Sequence, residues 1–142
     1  MLEKIIKFRK FPILKYVVKI LFVFIGVDIP EEVQLGERVR FPHNSYGTVI
    51  HPNTIIKDDV KIYQNVTIGR ADIYRSFNDS NMNSIVVSNN VILSAGCKVL
   101  SKDKELVIGK NSIIAANAVL LKSTGENEIW AGIPAKKIGY IK

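Results

Sequence analysis

Residues 48–68 read TVIHPNTIIKDDVKIYQNVTI and place an isoleucine at every sixth position, at Ile50, Ile56, Ile62 and Ile68. Each isoleucine is preceded by a Thr or Val two places earlier. A six-residue period fits neither an amphipathic α-helix nor the simple alternation of an ordinary strand. It is a signature of a parallel β-helix, in which each repeat supplies one short strand and one turn. The inward aliphatic residues of stacked coils then form one continuous core.

The same period continues on both sides of this stretch. Earlier and later series repeat at intervals of six: Ile29, Leu35 and Phe41; Val87, Leu93 and Val99; Ile108, Ile114 and Leu120. The chain has 142 residues, of which 47% are hydrophobic, and its mean hydropathy is +0.14. These values are typical of one globular domain. We therefore predict an all-β fold, a single-stranded hexapeptide-repeat solenoid over residues 27–142, with a short helical segment before it.

The repeat changes phase at three places, and each change predicts a loop. Two short loops are expected at residues 43–47 and 102–105, and one long polar insertion at about 70–84. Insertions in solenoids often collect on one face and carry binding residues. The Gly and Pro residues near the C-terminus predict a turn in a cap over about 123–142.

Residues 1–26 differ in kind, because basic residues interrupt an apolar sequence in which Pro12 should break a helix. The apolar run from Ile20 to Val27 is too short to span a bilayer. No small-residue cleavage site of a signal peptide follows it. Two interpretations stay open. The helices pack on the solenoid or on a neighbouring subunit, or a basic amphipathic segment rests on the inner membrane surface.

The charge and the single cysteine restrict the function further. The net charge is +7, with Lys and Arg concentrated near the two ends, but no base-reading motif or aromatic stacking platform is present. We therefore expect no nucleic-acid partner.

Cys97 has no second cysteine to pair with, and its place in the repeat predicts a small apolar filler. No Cys, His and Asp cluster has metal-ligand spacing, so no metal is expected.

Two histidines are the candidates for acid–base chemistry. His51 precedes Pro52 at a corner of the repeat, which favours a solvated turn residue. His43 lies in a phase break beside Gly47, which permits unusual backbone angles. The chain has no P-loop, no dinucleotide-binding fingerprint and no G-x-S-x-G nucleophile elbow.

Five segments together resemble the hexapeptide-repeat O-acetyltransferases, and serine acetyltransferases in particular. They are DIP at 28–30, FPHNSYGTVI at 41–50, DVKIYQNVTIG at 59–69, LSAGCKV at 93–99 and AGIPAK at 131–136. The resemblance covers residues 27–140 and implies a left-handed, three-sided parallel β-helix that assembles as a homotrimer. It also implies acetyl-CoA as the co-substrate.

The resemblance assigns catalytic roles to two residues. His43 would be the general base that accepts the proton of an attacking hydroxyl. Asp28 would accept a hydrogen bond from the other ring nitrogen and fix the orientation of the imidazole. Small corner residues would let the pantetheine arm of CoA approach the backbone, and lysines near the C-terminus would meet its phosphates. The expected cofactor residues are Ala95, Gly96, Ala115, Ala116, Pro134, Lys136 and Lys137.

Three departures from serine acetyltransferases bear on the acceptor. Pro42 stands where they have an acid, and Asn83 and Ser84 stand where they have an arginine and a histidine. We therefore predict a sugar hydroxyl, such as that of a surface polysaccharide, as the acceptor. Serine acetylation in cysteine biosynthesis and a non-catalytic assembly module are the alternatives. The expected acceptor-binding residues are Tyr46, Asp72, Asp79, Asn83 and Ser84. The chain is expected in the cytoplasm, free or peripheral at the membrane.

Overall fold

The computed structural model describes residues 1–141. Its strands form three sheets, and successive strands of the chain belong to different sheets until the final hairpin. The first sheet contains β1 (Gln34–Leu35), β3 (Thr54–Ile56), β6 (Ser84–Val87) and β9 (Glu105–Ile108). The second contains β4 (Lys61–Ile62), β7 (Ile92–Leu93), β10 (Ile113–Ile114), β12 (Glu128–Gly132) and β13 (Ala135–Tyr140). The third contains β2 (Val49–Ile50), β5 (Thr67–Arg70), β8 (Lys98–Ser101) and β11 (Val119–Leu120).

Pairing is parallel in all three sheets, except for the final antiparallel hairpin of β12 and β13. The register stacks the aliphatic residues of the six-residue period directly above one another. In the third sheet, Ile50 pairs with Ile68 and Ile68 with Val99, and these side chains are at most 1% exposed. Stacked inward residues of this kind form the continuous core that the repeat predicts. The mostly β fold and its helical N-terminus are confirmed, while the left-handed winding stays a prediction.

The corners between sheets are held by residues in the left-handed backbone region. Asn90, Asn111 and Asn127 have φ values of 59°, 60° and 58° and lie at the corner that follows the first sheet. Their side-chain amides form a ladder, with Asn90 donating to Asn111 at 3.1 Å and Asn111 donating to Asn127 at 2.8 Å. Asn tolerates this conformation better than most residues. The ladder therefore fixes one edge of the coil.

The N-terminal segment is helical, as predicted, and is interrupted near Pro12. Helix α1 covers Leu2–Ile5, a 3₁₀ helix covers Ile6–Lys10, and α2 covers Leu14–Phe24. Four apolar side chains of these helices join the core of the coil: Leu2, Ile6, Val18 and Phe22. The N-terminal segment thus packs on the core that the three sheets share. Within residues 1–141, no helix is long and apolar enough to cross a membrane.

The predicted loops lie where the repeat changes phase. Residues 71–83 form the long insertion; its predicted ends, Arg70 and Ser84, belong to β5 and β6. Residues 102–104 connect β8 and β9. The expected C-terminal cap is the β12–β13 hairpin; Lys142, the last residue of that prediction, lies outside the described residues. Cys97 is fully buried, and burial raises the pKa of its thiol to about 12, in agreement with an inert filler.

Candidate active site

His43 lies in a turn of unusual backbone geometry. Pro42–Ser45 form a short 3₁₀ turn in which His43, Asn44 and Ser45 have φ values of 53°, 54° and 44°. Each left-handed residue other than glycine costs about 1 kcal/mol. Runs of such residues persist only where the surrounding structure holds them, and they cluster at functional sites. The imidazole of His43 is exposed, with its ring centroid 6.2 Å from that of Tyr63.

Contacts on both sides hold this turn in place. The buried hydroxyl of Ser45 donates a hydrogen bond of 2.5 Å to the carbonyl oxygen of Ile62, in the next coil. Before the turn, the N–H of Phe41 donates to the carboxylate of Glu3 at 2.9 Å. Helix α1 therefore contributes directly to the position of the turn. Nothing in the repeat signalled the contribution of Glu3.

Successive corners after the second sheet stack into one edge, which we call the His43 edge: residues 42–46, 63–65, 94–96 and 115–117. Backbone hydrogen bonds connect the corners in order, from Tyr63 N–H to the Leu93 carbonyl and from Ser94 N–H to the Ile114 carbonyl. The N–H of Asn65 also donates to the carbonyl of Tyr46. The structure thus brings His43 and four of the seven expected cofactor residues onto a single edge, whereas Pro134, Lys136 and Lys137 lie in the C-terminal hairpin.

The later corners of the His43 edge are built from small residues. Ala95, Gly96, Ala115 and Ala116 are the four predicted at these positions, and Ala116 is exposed. Gly96 has a φ of 72°, and a Cβ there would collide with the side-chain oxygen of Asn117. Gly96 is therefore required by its backbone angle and by the packing of Asn117 against it, and the exposed Ala116 is the small corner that a ligand on this edge could contact.

The position of Asp28 is set by its backbone, and its side chain is not hydrogen-bonded to another described residue. Its backbone pairs with the first strand of the third sheet, where its N–H donates to the carbonyl of Thr48 at 2.9 Å. Among residues 1–141, no hydrogen bond joins the Asp28 carboxylate to the imidazole, and both side chains are exposed. The orienting role of Asp28 stays a prediction. Hydrogen bonds between catalytic groups are often long in unliganded enzymes and tighten in the complex.

Two further side chains occupy the His43 edge near the turn. Tyr46 is exposed, and its hydroxyl accepts a hydrogen bond from the amide of Asn44 at 3.5 Å. Gln64 carries a buried side-chain oxygen that has no hydrogen-bond partner within the described residues. Buried acceptors without a partner are rare and call for an explanation. The repeat gave no reason to single out Gln64.

The long insertion is organised around Arg70. Its guanidinium donates to the carbonyl oxygens of Asp72, Arg75 and Ser76 and forms an ion pair with the Asp72 carboxylate at 3.3 Å. Asp72 is 2% exposed and also accepts a hydrogen bond of 2.9 Å from the Ser80 hydroxyl. The expected role of Asp72 in acceptor binding is not supported by this geometry, because its carboxylate is buried and already fully engaged.

The other residues expected to bind the acceptor are distributed along the insertion. Asp79 is exposed and accepts a hydrogen bond of 2.6 Å from the Ser76 hydroxyl. Asn83 is exposed, and Ser84 begins β6, where its hydroxyl donates to the Glu105 carboxylate at 3.2 Å. Asp79 and Ser84 are thus engaged by different neighbours, and the role of these residues in acceptor binding stays a prediction.

His51 is packed rather than solvated, which differs from the expectation. Its ring stacks on Phe77 of the insertion, with centroids 5.8 Å apart and planes at 10°. Its Nδ1 accepts a hydrogen bond from the N–H of Asn53 at 3.1 Å. Burial and the positive charge of Arg70 lower the pKa of His51. The side chain therefore supports the insertion as a neutral group.

The cap uses one of the lysines expected to meet CoA. Burial alone would raise the pKa of Glu128, but hydrogen bonds from Trp130, the Gly125 N–H and Lys137 outweigh it and lower that pKa. The Lys137 ammonium lies 3.2 Å from the Glu128 carboxylate and donates to the Tyr140 hydroxyl at 2.9 Å. Lys137 thus has a structural role in the cap. Pro134 is exposed at the turn of the hairpin, and Lys136 is exposed in β13, where it pairs with Ala131. Within residues 1–141, no three His, Cys, Asp or Glu side chains are grouped to hold a metal ion.

Comparison with known proteins gives a consistent result in sequence and in structure. The chain is 35% identical over 117 residues to the serine acetyltransferase of Mycobacterium tuberculosis, covering 82% of this chain and 47% of that protein. The serine acetyltransferase of Brucella abortus in complex with coenzyme A superposes with a TM-score of 0.78 at 26% identity, covering 99% of this chain and 53% of that one.

The chain is a relative of the serine acetyltransferases. A further structure, a serine acetyltransferase in complex with cysteine, gives a TM-score of 0.74 at 28% identity, covering 89% of this chain and 49% of that one. No protein-family model matches the chain. The chain spans about half the length of the curated relatives it matches.

Proposed function

We propose that the chain transfers an acetyl group from acetyl-CoA to a hydroxyl group, with His43 as the general base. The observation that carries this proposal is the His43 edge, where an exposed imidazole stands at one end of a column of small corners. A relative of the same fold was solved with coenzyme A. Ala95, Gly96, Ala115 and Ala116 would lie along the pantetheine arm, and Lys136 would approach the phosphates.

The reaction needs one proton acceptor and one stabilised oxyanion. His43 accepts the hydroxyl proton as the acceptor oxygen attacks the thioester carbonyl. Negative charge develops on the carbonyl oxygen and requires hydrogen-bond donors, for which backbone N–H groups are suited. The carbon–sulfur bond then breaks, and the proton passes from His43 to the CoA sulfur. Asp28 would stabilise the imidazolium between these two steps.

L-Serine has the stronger support of the two acceptors expected from the sequence. The relatives are named for serine, and one was solved with cysteine, an amino acid that differs from serine by sulfur in place of oxygen. A saccharide hydroxyl is the second candidate. It is favoured by Asn83 and Ser84, which offer neutral groups where a zwitterion would need charged partners.

Release of free CoA thiol from acetyl-CoA tests the proposal and separates the acceptors. Purified protein is assayed with L-serine, with D-serine as a matched control, and with a panel of neutral and acidic saccharides. The expected result is acceptor-dependent thiol release, with the highest kcat/KM for L-serine. Turnover with a saccharide and none with L-serine would establish the second candidate. No acceptor-dependent release across the panel, from a folded protein that binds acetyl-CoA, would overturn the proposal.

The sites are expected to lie at the interfaces of a trimer of left-handed coils, as the resemblance implies. Each site would combine the His43 edge of one chain with a facing surface of the next. A closed cyclic trimer is a common arrangement for homo-oligomers. Exposed apolar side chains at the C-terminal hairpin, such as Ile133 and Ile138, agree with burial in an assembly.

A further inference from the structure

Helix α2 presents an entirely apolar surface away from the coil. Its inner face packs on the core through Val18 and Phe22. The opposite face, which we call the outer face, is a stripe of residues that recur three or four positions apart along the helix. It consists of Ile13, Tyr16, Val17, Ile20, Val23 and Phe24, each more than half exposed. Ile13 and Phe24 are both 83% exposed, at opposite ends of the stripe.

Contiguous apolar faces of this kind signal a partner in soluble proteins. Phe8 and Phe11 of the preceding segment are also exposed, with their ring centroids 6.1 Å apart. The outer face is an apolar patch about three helical turns long. The outer face itself contains no acidic residue; the acids that lie beside α2 in space are Asp28, Glu31 and Glu32, of which Glu31 pairs with Lys15 at 3.5 Å.

The charge of the same segment identifies the partner. Residues 1–26 contain six basic side chains and one acidic side chain, a net charge of +5 of the +7 carried by the whole chain. Of these basic side chains, Arg9 is buried and Lys15 pairs with Glu31, whereas Lys4, Lys7, Lys10 and Lys19 are exposed. A second copy of the chain would bring two segments of the same positive sign together, which is unfavourable. An anionic lipid surface offers both an apolar layer and the opposite charge.

We propose that the outer face of α2 and the flanking lysines dock the protein on an anionic membrane surface. Because the inner face of α2 is fixed to the coil, the helix lies flat in the headgroup layer and its apolar side chains enter it. The turn containing His43 is attached to this anchor through Glu3 of α1. The docked protein would therefore hold its His43 edge near the membrane surface. This proposal is independent of which acceptor is acetylated.

Flotation with lipid vesicles tests the proposal directly. The wild-type protein is mixed with vesicles of phosphatidylcholine alone or of phosphatidylcholine with phosphatidylglycerol. Binding is expected only to the anionic vesicles and should weaken as salt is added, because salt screens the lysines. Each lysine near the surface contributes about fivefold to the binding constant. The triple variant Lys7→Gln, Lys10→Gln, Lys19→Gln should therefore bind roughly 100-fold more weakly.

Two further variants separate apolar insertion from simple charge attraction. Ile13→Asp with Phe24→Asp should abolish flotation, since it places carboxylates in the outer face. Ile73→Asp makes the same change at an 80% exposed residue of the insertion and should float like the wild type. The circular dichroism spectrum of each variant is compared with that of the wild type to check that the variant folds. If the Ile13→Asp, Phe24→Asp variant does not fold, the lysine variant still tests the proposal.

Other outcomes would overturn the proposal. Equal flotation of the wild type and the Ile13→Asp, Phe24→Asp variant would exclude the outer face as the anchor. Failure of the wild type to bind anionic vesicles, together with dissociation of its oligomer in the aspartate variant, would instead identify the outer face as a subunit interface.

Discussion

The turn that presents His43 adopts a backbone conformation that its own sequence does not favour. His43, Asn44 and Ser45 are all left-handed; Asn and His are enriched in that region, but normally as single residues and not in a run of three. The hydrogen bonds from Ser45 to Ile62 and from Phe41 to Glu3 supply the constraint. The site is thus assembled from three parts of the chain that lie far apart in sequence.

Replacing Asp28 tests whether it orients the imidazole. Asp28→Asn keeps the size of the side chain but cannot balance a protonated imidazole and can stabilise the wrong tautomer. We expect kcat to fall by at least about tenfold, with little change in the KM for acetyl-CoA. Steady-state kinetics at saturating acetyl-CoA measure this. Unchanged kcat in the variant would remove Asp28 from the mechanism.

The small corners can be tested by filling one of them. Ala116→Tyr places a ring on the His43 edge, where the pantetheine arm is expected. We predict a rise of at least about tenfold in the KM for acetyl-CoA, equivalent to ~1.4 kcal/mol of lost binding. Lys110→Tyr puts the same ring at the exposed corner between the first and second sheets, away from the His43 edge, and serves as the control. Equal KM values for the two variants would show that CoA does not lie along the His43 edge.

The sequence was more informative about backbone position than about side-chain contacts. The six-residue period predicted the buried isoleucines, and the phase break predicted the loop that contains His43. It could not predict that Asp72 is buried against Arg70, because that ion pair depends on how the insertion folds back. For the same reason, the packing of His51 on Phe77 was missed.

At the scale of elements, the C-terminal hairpin closes the coil around one carboxylate. Glu128 accepts hydrogen bonds from the N–H of Gly125 at 2.7 Å and from the indole of Trp130 at 2.8 Å, and it pairs with Lys137. The Gly and Pro residues of the sequence predicted a turn here, but not the buried acid. A hydrogen-bonded carboxylate inside a cap is specified by three-dimensional packing, which no local pattern encodes.

Glu128→Gln should destabilise the fold in a pH-dependent manner. The lowered pKa of Glu128 means that its stabilisation is present above its usual value of 4.5 and is lost as the pH falls through the folded value. At neutral pH the variant should be less stable by about 1 kcal/mol, because its amide opposes the Lys137 ammonium with N–H donors. Urea unfolding at several pH values measures the difference, and Lys136→Gln is the control. A difference that persists well below pH 4 would contradict the assignment.

At the scale of the whole molecule, we propose that neighbouring chains in a trimer complete the site. Multi-angle light scattering should give three times the mass of one 15.9 kDa chain. Dilution to the point of dissociation should abolish acetyl transfer, because the CoA site would lose one of its walls. A monomer with full activity would refute the shared site.

The most direct test of the account is the rate of acceptor-dependent thiol release from acetyl-CoA by His43→Ala, compared with His51→Ala and the wild type. Loss of a general base typically slows a reaction about 10²–10⁴-fold, so His43→Ala should lose that much kcat while still binding acetyl-CoA. His51→Ala removes a residue that packs on the insertion and should keep most of the wild-type kcat. Wild-type kcat in His43→Ala, or loss of turnover in His51→Ala alone, would contradict the account.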